Sequence, residues 1–357
     1  MEVVADDGFG GSPFPAITDE PLQKASAIEV VAKLPIPPNA IAITGDGDLY
    51  VSFHSRHDRG NLKLAKWDPK TQNLTAWPTE KRQLSYWQIT SLKLHGNSLY
   101  ALDDGINGLT NKPKVVAFDL QKGDERLRYR TGTGRGSLVA DLAVHPDGKS
   151  LYIADASMIR GLPKIFAIDV ETGGRSVVLK GHHSLKANRS ASILDATGTH
   201  TLRWAYFGAF PYRPAVSALA IDAKNDAMYF AAPSSREAFK VPLSQLDYAR
   251  DTNSHKSARP YVSKFLDHKP VSGGMVVATN GDLYIADPQT SAIRVYSTRS
   301  GQPVLKTLVR DPEVLRWPGQ LAIRDGYLYV ACSALDTAFT GRKVEGGGLV
   351  VRVPLLV

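Results

Sequence analysis

The chain has little cysteine and no long apolar run, and both features narrow the class of protein. Cys332 is the single cysteine among 357 residues, so no disulfide bond can form within the chain. No stretch of apolar residues approaches the length that a membrane-spanning helix needs, so we expect no membrane partner. The first residues have neither a basic start nor a long apolar core, so we expect no signal peptide there.

Several common site patterns are missing as well. We find no Ser-His-Asp order and no Cys/His metal spacing, and the glycine-rich residues 131–136 join two strands without opening a helix, so they give little support to a nucleotide site. The 43 lysines and arginines exceed the 35 acids, which gives a net charge of +8. They are spread along the chain, so we expect a solvated basic surface and no nucleic-acid partner. Such a surface can steer acidic small molecules.

What the chain does contain is one phrase repeated six times: an apolar strand, a polar turn and a strand that carries a tyrosine. The copies begin at Asn39, Thr90, Ala140, Ser217, Gly273 and Gly319, and their tyrosines are Tyr50, Tyr100, Tyr152, Tyr229, Tyr284 and Tyr329. A repeat of roughly 40–50 residues built from short strands is typical of a β-propeller. One copy cannot bury its own faces, so the copies must pack as blades around an axis. We therefore predict an all-β fold, a six-bladed β-propeller, as a single domain over residues 21–357.

The sixth blade lacks an outer strand of its own because the chain stops at Val357. A spare apolar stretch, residues 27–34, precedes the first repeat. Placing it beside residues 349–353 would complete the last blade and cover an exposed sheet edge. We predict that this N-terminal strand closes the ring and that residues 1–20 form a flexible leader.

One connection, at about residues 180–216, is much longer than the others and rich in aromatic side chains. Its aromatic residues are Trp204, Tyr206, Phe207, Phe210 and Tyr212. Loops of this length in compact domains are usually functional or disordered, and so much aromatic surface argues against disorder. Two interpretations stay open: a cap over one mouth of the ring, or a patch packed on its side.

Strand direction selects the candidate site. The first strand of each repeat runs away from one face and the tyrosine strand returns to it, so residues before the first strand and after the second share one mouth. Aromatic walls with a few polar groups suit a small-molecule pocket, and a histidine beside a carboxylate can move protons. The candidate catalytic residues are His54, His268, Asp104 and Arg213. The candidate ligand-binding residues are Asn39, Tyr86, Trp87, Asp155, Tyr212, Ser217, Arg236 and Trp317.

Purely structural roles, in fastening loops or packing between blades, are the alternative for several residues near this mouth. Asp155 and Asp287 each follow an alanine in a repeated turn, where a carboxylate commonly fastens the loop by accepting backbone N–H bonds. Trp87 and Trp317 precede strands at matching positions and could simply pack between blades.

Four stretches, residues 141–148, 216–223, 233–236 and 281–288, resemble the major royal jelly/Yellow family, especially its bacterial branch. More distantly, the chain is similar to the gluconolactonase and regucalcin-like six-bladed propellers. The family resemblance implies a secreted or periplasmic protein and a mixed set of functions, among them dopachrome conversion and amine binding. We expect a monomer whose partner is a small molecule.

The lactonase relatives hold a divalent metal, usually calcium, with Glu, Asn and Asp, and the Asn and Asp stand just before the inner strands. Of the corresponding positions here, only Asn39 keeps a strong oxygen ligand, while Ala140, Gly273 and Gly319 offer none from a side chain. Calcium takes six to eight oxygen ligands. We therefore predict no metal and no cofactor, and we expect the small residues to widen the funnel.

Three functions remain at this point. The leading hypothesis is a small-molecule enzyme of the tautomerase, isomerase or cyclase type, acting by metal-independent proton transfer on an aromatic or quinone-like metabolite. The second is a non-catalytic carrier of an amine-type ligand. The third is a metal-dependent lactonase, which would lose lactone hydrolysis on addition of a chelator and regain it with calcium.

Overall fold

Six four-stranded antiparallel sheets form the body of the protein. The computed structural model describes residues 12–14, 18–55, 57, 62–105, 112–134, 136–157, 161–203, 210–299, 301–340, 344 and 346–356. The innermost strand of each sheet contacts that of the next, and that of the sixth contacts that of the first, so the sheets close into a ring. The six-bladed β-propeller predicted from the repeats is confirmed. No helix among the described residues is long and apolar enough to span a membrane.

The chain enters through β1 (Ser12–Pro13) and β2 (Glu29–Leu34), and then builds the blades in order. Blade 1 contains β3 (Pro38–Ile43), β4 (Leu49–Phe53), β5 (Leu64–Asp68) and β6 (Asn73–Ala76), followed by helix α1 (Glu80–Gln83). Blade 2 contains β7 (Ile89–His95), β8 (Ser98–Asp103), β9 (Lys114–Asp119) and β10 (Glu125–Arg130). Blade 3 contains β11 (Val139–Val144), β12 (Ser150–Asp155), β13 (Lys164–Asp169) and β14 (Arg175–Lys180).

The second half follows the same plan after the short strand β15 (Ala191–Ser192). Blade 4 contains β16 (Ala218–Asp222), β17 (Ala227–Ala231), β18 (Ala238–Pro242), helix α2 (Leu243–Asp251) and β19 (Ser263–Leu266). Blade 5 contains β20 (Met275–Val277), β21 (Leu283–Asp287), β22 (Ala292–Ser297) and β23 (Val304–Arg310). Blade 6 contains β24 (Pro318–Arg324), β25 (Tyr327–Cys332), helix α3 (Leu335–Thr340) and β26 (Gly348–Pro354).

The repeated tyrosines fill the spaces between blades. Tyr50, Tyr152 and Tyr284 are among the largest fully buried side chains, and each belongs to an apolar cluster shared with the following blade. The second strands are buried along all or nearly all of their length, because a neighbouring blade covers each face. The outer strand β10, in contrast, alternates between exposed and half-buried residues, because only one of its faces is covered. The repeat therefore encodes the contact between blades.

The N-terminal strand completes the last blade, as predicted. β2 pairs antiparallel with β26, and the order of this sheet is β2-β26-β25-β24. Leu34 at the end of β2 is 2 % exposed and packs in a cluster that includes Ile41 of blade 1 and Tyr329 of blade 6. The first and last parts of the chain are thus joined in one sheet.

The described parts of the segment that we expected to be a flexible leader make specific contacts. β1 pairs in parallel with β15 in the long insertion. The carboxylate of Asp19 accepts hydrogen bonds from the guanidinium of Arg294 at 2.9 Å and from the backbone N–H of Thr307 at 2.7 Å. These contacts tie the start of the chain to the insertion and to blade 5.

Candidate functional site

A pocket of about 230 Å³ opens at one mouth of the ring. All six blades contribute to its wall through the residues that open their inner strands: Asn39, Thr90, Ala140, Ser217, Gly273, Gly274 and Gly319. Residues that follow the second strands line it too, namely His54, Ser55, Asp104, Pro233, Pro288 and Ser333. The two groups share one mouth, as strand direction predicts. We call this cavity the mouth pocket.

Bulges at the starts of the inner strands form part of the wall of the mouth pocket. The pairing of β3, β7, β11 and β24 with their neighbours shifts register at the first residues, which leaves Asn39, Thr90, Ala140 and the pair Gly319–Gln320 outside the regular ladder. A bulge of this kind redirects a side chain and is common beside functional sites. Asn39 and Thr90 use their side chains to join blades: the Asn39 amide donates to Ile89 O at 2.8 Å, and the Thr90 hydroxyl donates to Val139 O at 3.1 Å.

A buried polar network lies beside the pocket and holds the inner strands together. The side chain of Gln320 accepts from the backbone N–H of Ile41 at 3.0 Å and donates to Ser91 Oγ at 3.0 Å. Asp141 accepts from Ser91 Oγ at 2.8 Å and from the backbone N–H of Leu219 at 2.9 Å. The network connects strands of five blades, which fixes the position of the Asp141 carboxylate.

Lys93 supplies a positive charge next to this network. Its ammonium nitrogen lies 3.9 Å from Asp141 Oδ1, and its half-buried side chain lines the mouth pocket. Sequence reasoning missed Lys93, Asp141 and Gln320 as pocket residues. A signal for Asp141 was available in the repeat. Ser91 and Asp141 occupy the same position, one residue after Thr90 and Ala140, which correspond to metal ligands in the lactonase relatives.

Aromatic side chains form another part of the wall. Trp87, Tyr212, Trp317 and Phe339 line the mouth pocket, and the rings of Tyr212 and Phe339 lie 4.5 Å apart. Trp317 has a φ of 51°, a left-handed conformation that is unusual for a bulky residue and that tends to occur at functional sites. Its carbonyl accepts hydrogen bonds from the backbone N–H and the hydroxyl of Ser333, which stabilise this conformation.

The long insertion reaches the mouth pocket. Ile193 and Tyr212 of the insertion line it, and Ile193 belongs to an apolar cluster with Phe14, Val271 and Trp317. This placement favours a cap over a patch on the side of the ring. Trp204, Tyr206 and Phe207, part of the basis for the original expectation, lie outside the described residues.

Seven of the residues predicted from the sequence meet around the mouth pocket: Asn39, His54, Trp87, Asp104, Tyr212, Ser217 and Trp317. His54 lies beside His57, with 6.3 Å between the ring centroids. The imidazole Nε2 of His57 is 2.9 Å from Ser333 O, and burial lowers the pKa of His57. Of the two predicted catalytic histidines, His54 and His268, only His54 lines the pocket among the described residues.

The other five do not line the pocket among the described residues, and the contacts explain why. His268 is exposed, with a φ of 56°. The guanidinium of Arg213 donates to Ala191 O at 2.8 Å and that of Arg236 donates to Pro13 O at 2.8 Å, so both hold surrounding segments.

Tyr86 and Asp155 complete these five. Tyr86 is buried in the cluster between blades 1 and 2. Asp155 accepts from the backbone N–H groups of Leu138 and Ser157 and pairs with Lys164 at 3.1 Å, which is the loop-fastening role that the sequence left open. For these two side chains, packing and loop geometry account for the observed contacts.

Two glycines of blade 5 that line the pocket, Gly273 and Gly274, also have a role in packing. A Cβ at Gly273 would lie 2.6 Å from Pro318 O, and one at Gly274 would lie 2.7 Å from Gly319 O. These glycines allow the backbones of blades 5 and 6 to approach closely, which is a packing reason for them. No group of three or more His, Cys, Asp or Glu side chains in the described part of the chain is placed to hold a metal ion.

Comparison with known proteins supports the resemblance read from the sequence. The family model described as major royal jelly protein matches residues 195–343. The resemblance is confirmed over that stretch. No curated protein gave a significant match to the sequence.

Solved structures with the same architecture have little sequence in common with this chain. Regucalcin, a calcium-binding protein from Agrobacterium tumefaciens, is 14% identical with a TM-score of 0.57, and the match covers 96% of this chain and 94% of that one. The PQQ-bound aldose sugar dehydrogenase from Streptomyces coelicolor is 13% identical with a TM-score of 0.58, covering 92% and 97%. Virginiamycin B lyase from Staphylococcus aureus is 10% identical with a TM-score of 0.52, covering 92% and 99%. These likenesses show the propeller fold.

Proposed function

We propose that the protein is a small-molecule enzyme that binds an aromatic or quinone-like metabolite in the mouth pocket and moves a proton with its own side chains. The observation that carries the proposal is the meeting of aromatic walls and ionisable groups in one pocket. Such a cavity suits a small molecule held by apolar contact and oriented by a few polar groups. A polymer would need an extended groove.

The side chains of the mouth pocket have different roles in this proposal. His54 is the candidate that takes or returns the proton, since an imidazole titrates near neutral pH. Lys93, fixed beside Asp141, provides a positive charge that stabilises negative charge developing on a substrate oxygen, as in an enolate or phenolate. Trp87 and Trp317 supply apolar contact for the substrate ring. Asp104 is a second proton acceptor at the same mouth.

Candidate quinone and indole-type substrates should be turned over by the intact protein and much more slowly by His54→Ala. We expect a loss on the order of 10² in turnover, the usual contribution of a general acid or base. Lys93→Met should lower kcat as well, because it removes the fixed charge and keeps most of the volume. His95→Ala is the matched control, since His95 ends β7 and lies away from the mouth at which that strand begins. Full activity in both His54→Ala and Lys93→Met would refute the proposal.

A carrier of amine-type ligands is the second candidate, favoured by one observation. The carboxylates of Asp104 and Asp141 share the pocket with aromatic rings, a combination that suits an organic cation. Two results together would favour a carrier. The protein would bind one equivalent of an amine without changing it chemically, and it would turn over no quinone or indole substrate. Lys93 argues against it, because it places a like charge in the cavity.

A further inference from the structure

A completely buried lysine stands behind one wall of the mouth pocket. Lys269, between β19 and β20, has 0% of its surface exposed. Its side-chain nitrogen lies 3.3 Å from Pro233 O, 3.0 Å from Pro270 O and 3.2 Å from Ser272 Oγ. A lysine is rarely buried in this way unless a carboxylate pairs with it. The proposed proton-transfer chemistry makes no use of it.

These three partners satisfy the side-chain nitrogen whether it is an ammonium, which donates to all three oxygens, or an uncharged amine. A neutral amine has two N–H donors and one lone pair, so it can donate to the two carbonyls and accept from the hydroxyl of Ser272. The site tolerates either protonation state because that hydroxyl can turn. Burial lowers the pKa of Lys269 to about 7, against the smaller opposing effect of Asp287.

Ionisable and aromatic side chains from neighbouring segments surround the Lys269 amine. Asp287 at the end of β21 is itself buried, and burial raises its pKa to about 6. The centroid of the Phe14 ring lies 5.9 Å from the Lys269 nitrogen and 5.7 Å from the Arg236 guanidinium. Exposed His268 precedes Lys269 in the chain. Asp287 forms no ion pair with Lys269 within 4.0 Å, although its charge acts on the lysine.

Ser272 connects this amine to the cavity. It lines the mouth pocket, with 1% of its surface exposed, and its hydroxyl contacts the Lys269 nitrogen. We propose that Ser272 and Lys269 form a nucleophile–base pair that gives this pocket a second activity, hydrolysis of small carboxylic esters. A desolvated lysine that takes the proton of a serine is an established way to activate a hydroxyl.

The reaction balances without any further reagent. Lys269 takes the hydroxyl proton while Ser272 Oγ bonds to the ester carbonyl carbon. The C–O bond to the leaving alcohol then breaks, and the Lys269 ammonium returns the proton to the departing oxygen. Water, deprotonated by the same amine, attacks the acyl-serine; the carboxylic acid leaves and the serine hydroxyl re-forms.

The two amides that follow the serine are occupied, since Gly273 N donates to Ala286 O at 2.9 Å and Gly274 N donates to Gly319 O at 3.0 Å. They cannot serve as oxyanion donors without breaking those bonds. Covalent labelling of the serine is therefore a more sensitive readout than turnover.

The test uses the full chain, a fluorophosphonate probe and p-nitrophenyl acetate, read by intact mass and peptide mapping. We expect one equivalent of label on Ser272 and none in Ser272→Ala. Ser137→Ala is the matched control, because Ser137 lines the same pocket from the start of blade 3 and should leave labelling unchanged. Absence of label, or equal labelling of Ser272→Ala, would overturn the proposal.

The role of the lysine has its own readout. Labelling of the intact protein should rise with pH through about 7, where Lys269 loses its proton. Lys269→Met should lower the rate by a factor on the order of 10². If that variant does not fold, the pH profile decides, and a rate with no inflection near neutrality contradicts the pair. His95→Ala, remote from the mouth, should label normally. Labelling of Ser272 and turnover of quinone or indole substrates are separate measurements, so failure here and failure of the proton-transfer proposal remain distinguishable.

Discussion

Truncating one side chain of the N-terminal strand should destabilise the whole propeller. Leu34 on β2 is 2 % exposed and packs against residues of blades 1 and 6. Val30 lies on the same strand but is 46 % exposed. Leu34→Ala removes buried methyl groups at the seam of the ring, whereas Val30→Ala removes atoms that water already reaches. The pair therefore separates packing at the seam from any effect of changing β2 itself.

The expected difference follows from burial. A buried leucine replaced by alanine loses about 2–5 kcal/mol of unfolding free energy, through lost transfer energy and the cavity left behind. A surface substitution usually changes stability by less than about 0.5 kcal/mol. Since a domain is stable by about 5–15 kcal/mol in total, Leu34→Ala should clearly lower the denaturation midpoint.

Urea titration followed by tryptophan fluorescence measures this difference. Trp67 belongs to the same apolar cluster as Leu34, so one of the five tryptophans reports directly on the seam. Equal midpoints for Leu34→Ala and Val30→Ala would contradict closure by β2. A lower midpoint for Leu34→Ala alone, with an unchanged slope, would support it.

Two further predictions concern charge and the pocket wall. Burial raises the pKa of Asp287 from 3.8 to about 6. Between these two pH values the folded state holds a proton that the unfolded state has lost. The unfolding free energy contributed by this group therefore falls as the pH rises from about 4 to about 6. Asp287→Asn should therefore gain unfolding free energy relative to the parent protein from about pH 4 to about pH 6; parallel pH–stability curves would contradict the assignment. Trp317→Ala should weaken binding of an aromatic ligand, measured by titration on protein whose melting curve shows it folded. Trp317→Phe should retain most of the affinity because it keeps a ring at the wall, and unchanged affinity in both variants would place the ligand elsewhere.

Much of the fold could be predicted because the repeat encodes contacts between neighbours. Tyr50, Tyr152 and Tyr284 recur at one position since each must fill the same space between two blades. The closing strand was also predictable, because an open sheet edge in blade 6 demanded a partner. Strand direction then identified the mouth where inner strands begin.

The chemistry inside the mouth was harder to predict. Asp141 and Leu219 are 78 positions apart, and their hydrogen bond depends on how two blades pack, which no local pattern specifies. His268 and Lys269 are adjacent, yet one is exposed and the other fully buried. The left-handed φ of His268 sets the direction of the chain there, and that torsion is not legible from the residue type. Of the two, the buried lysine became the more informative residue.

The pairing of β2 with β26 has a consequence for how the protein is made. Glu29 and Arg352 face each other in this sheet although 323 positions separate them. During synthesis β2 emerges early and waits for its partner until nearly the whole chain has followed, and contacts of such long range slow folding. Blades 1 and 6 both line the mouth pocket, so the cavity is complete only after this last pairing. A ligand that binds there would act on the final step of folding, and the nascent chain would carry an unpaired strand edge until that step.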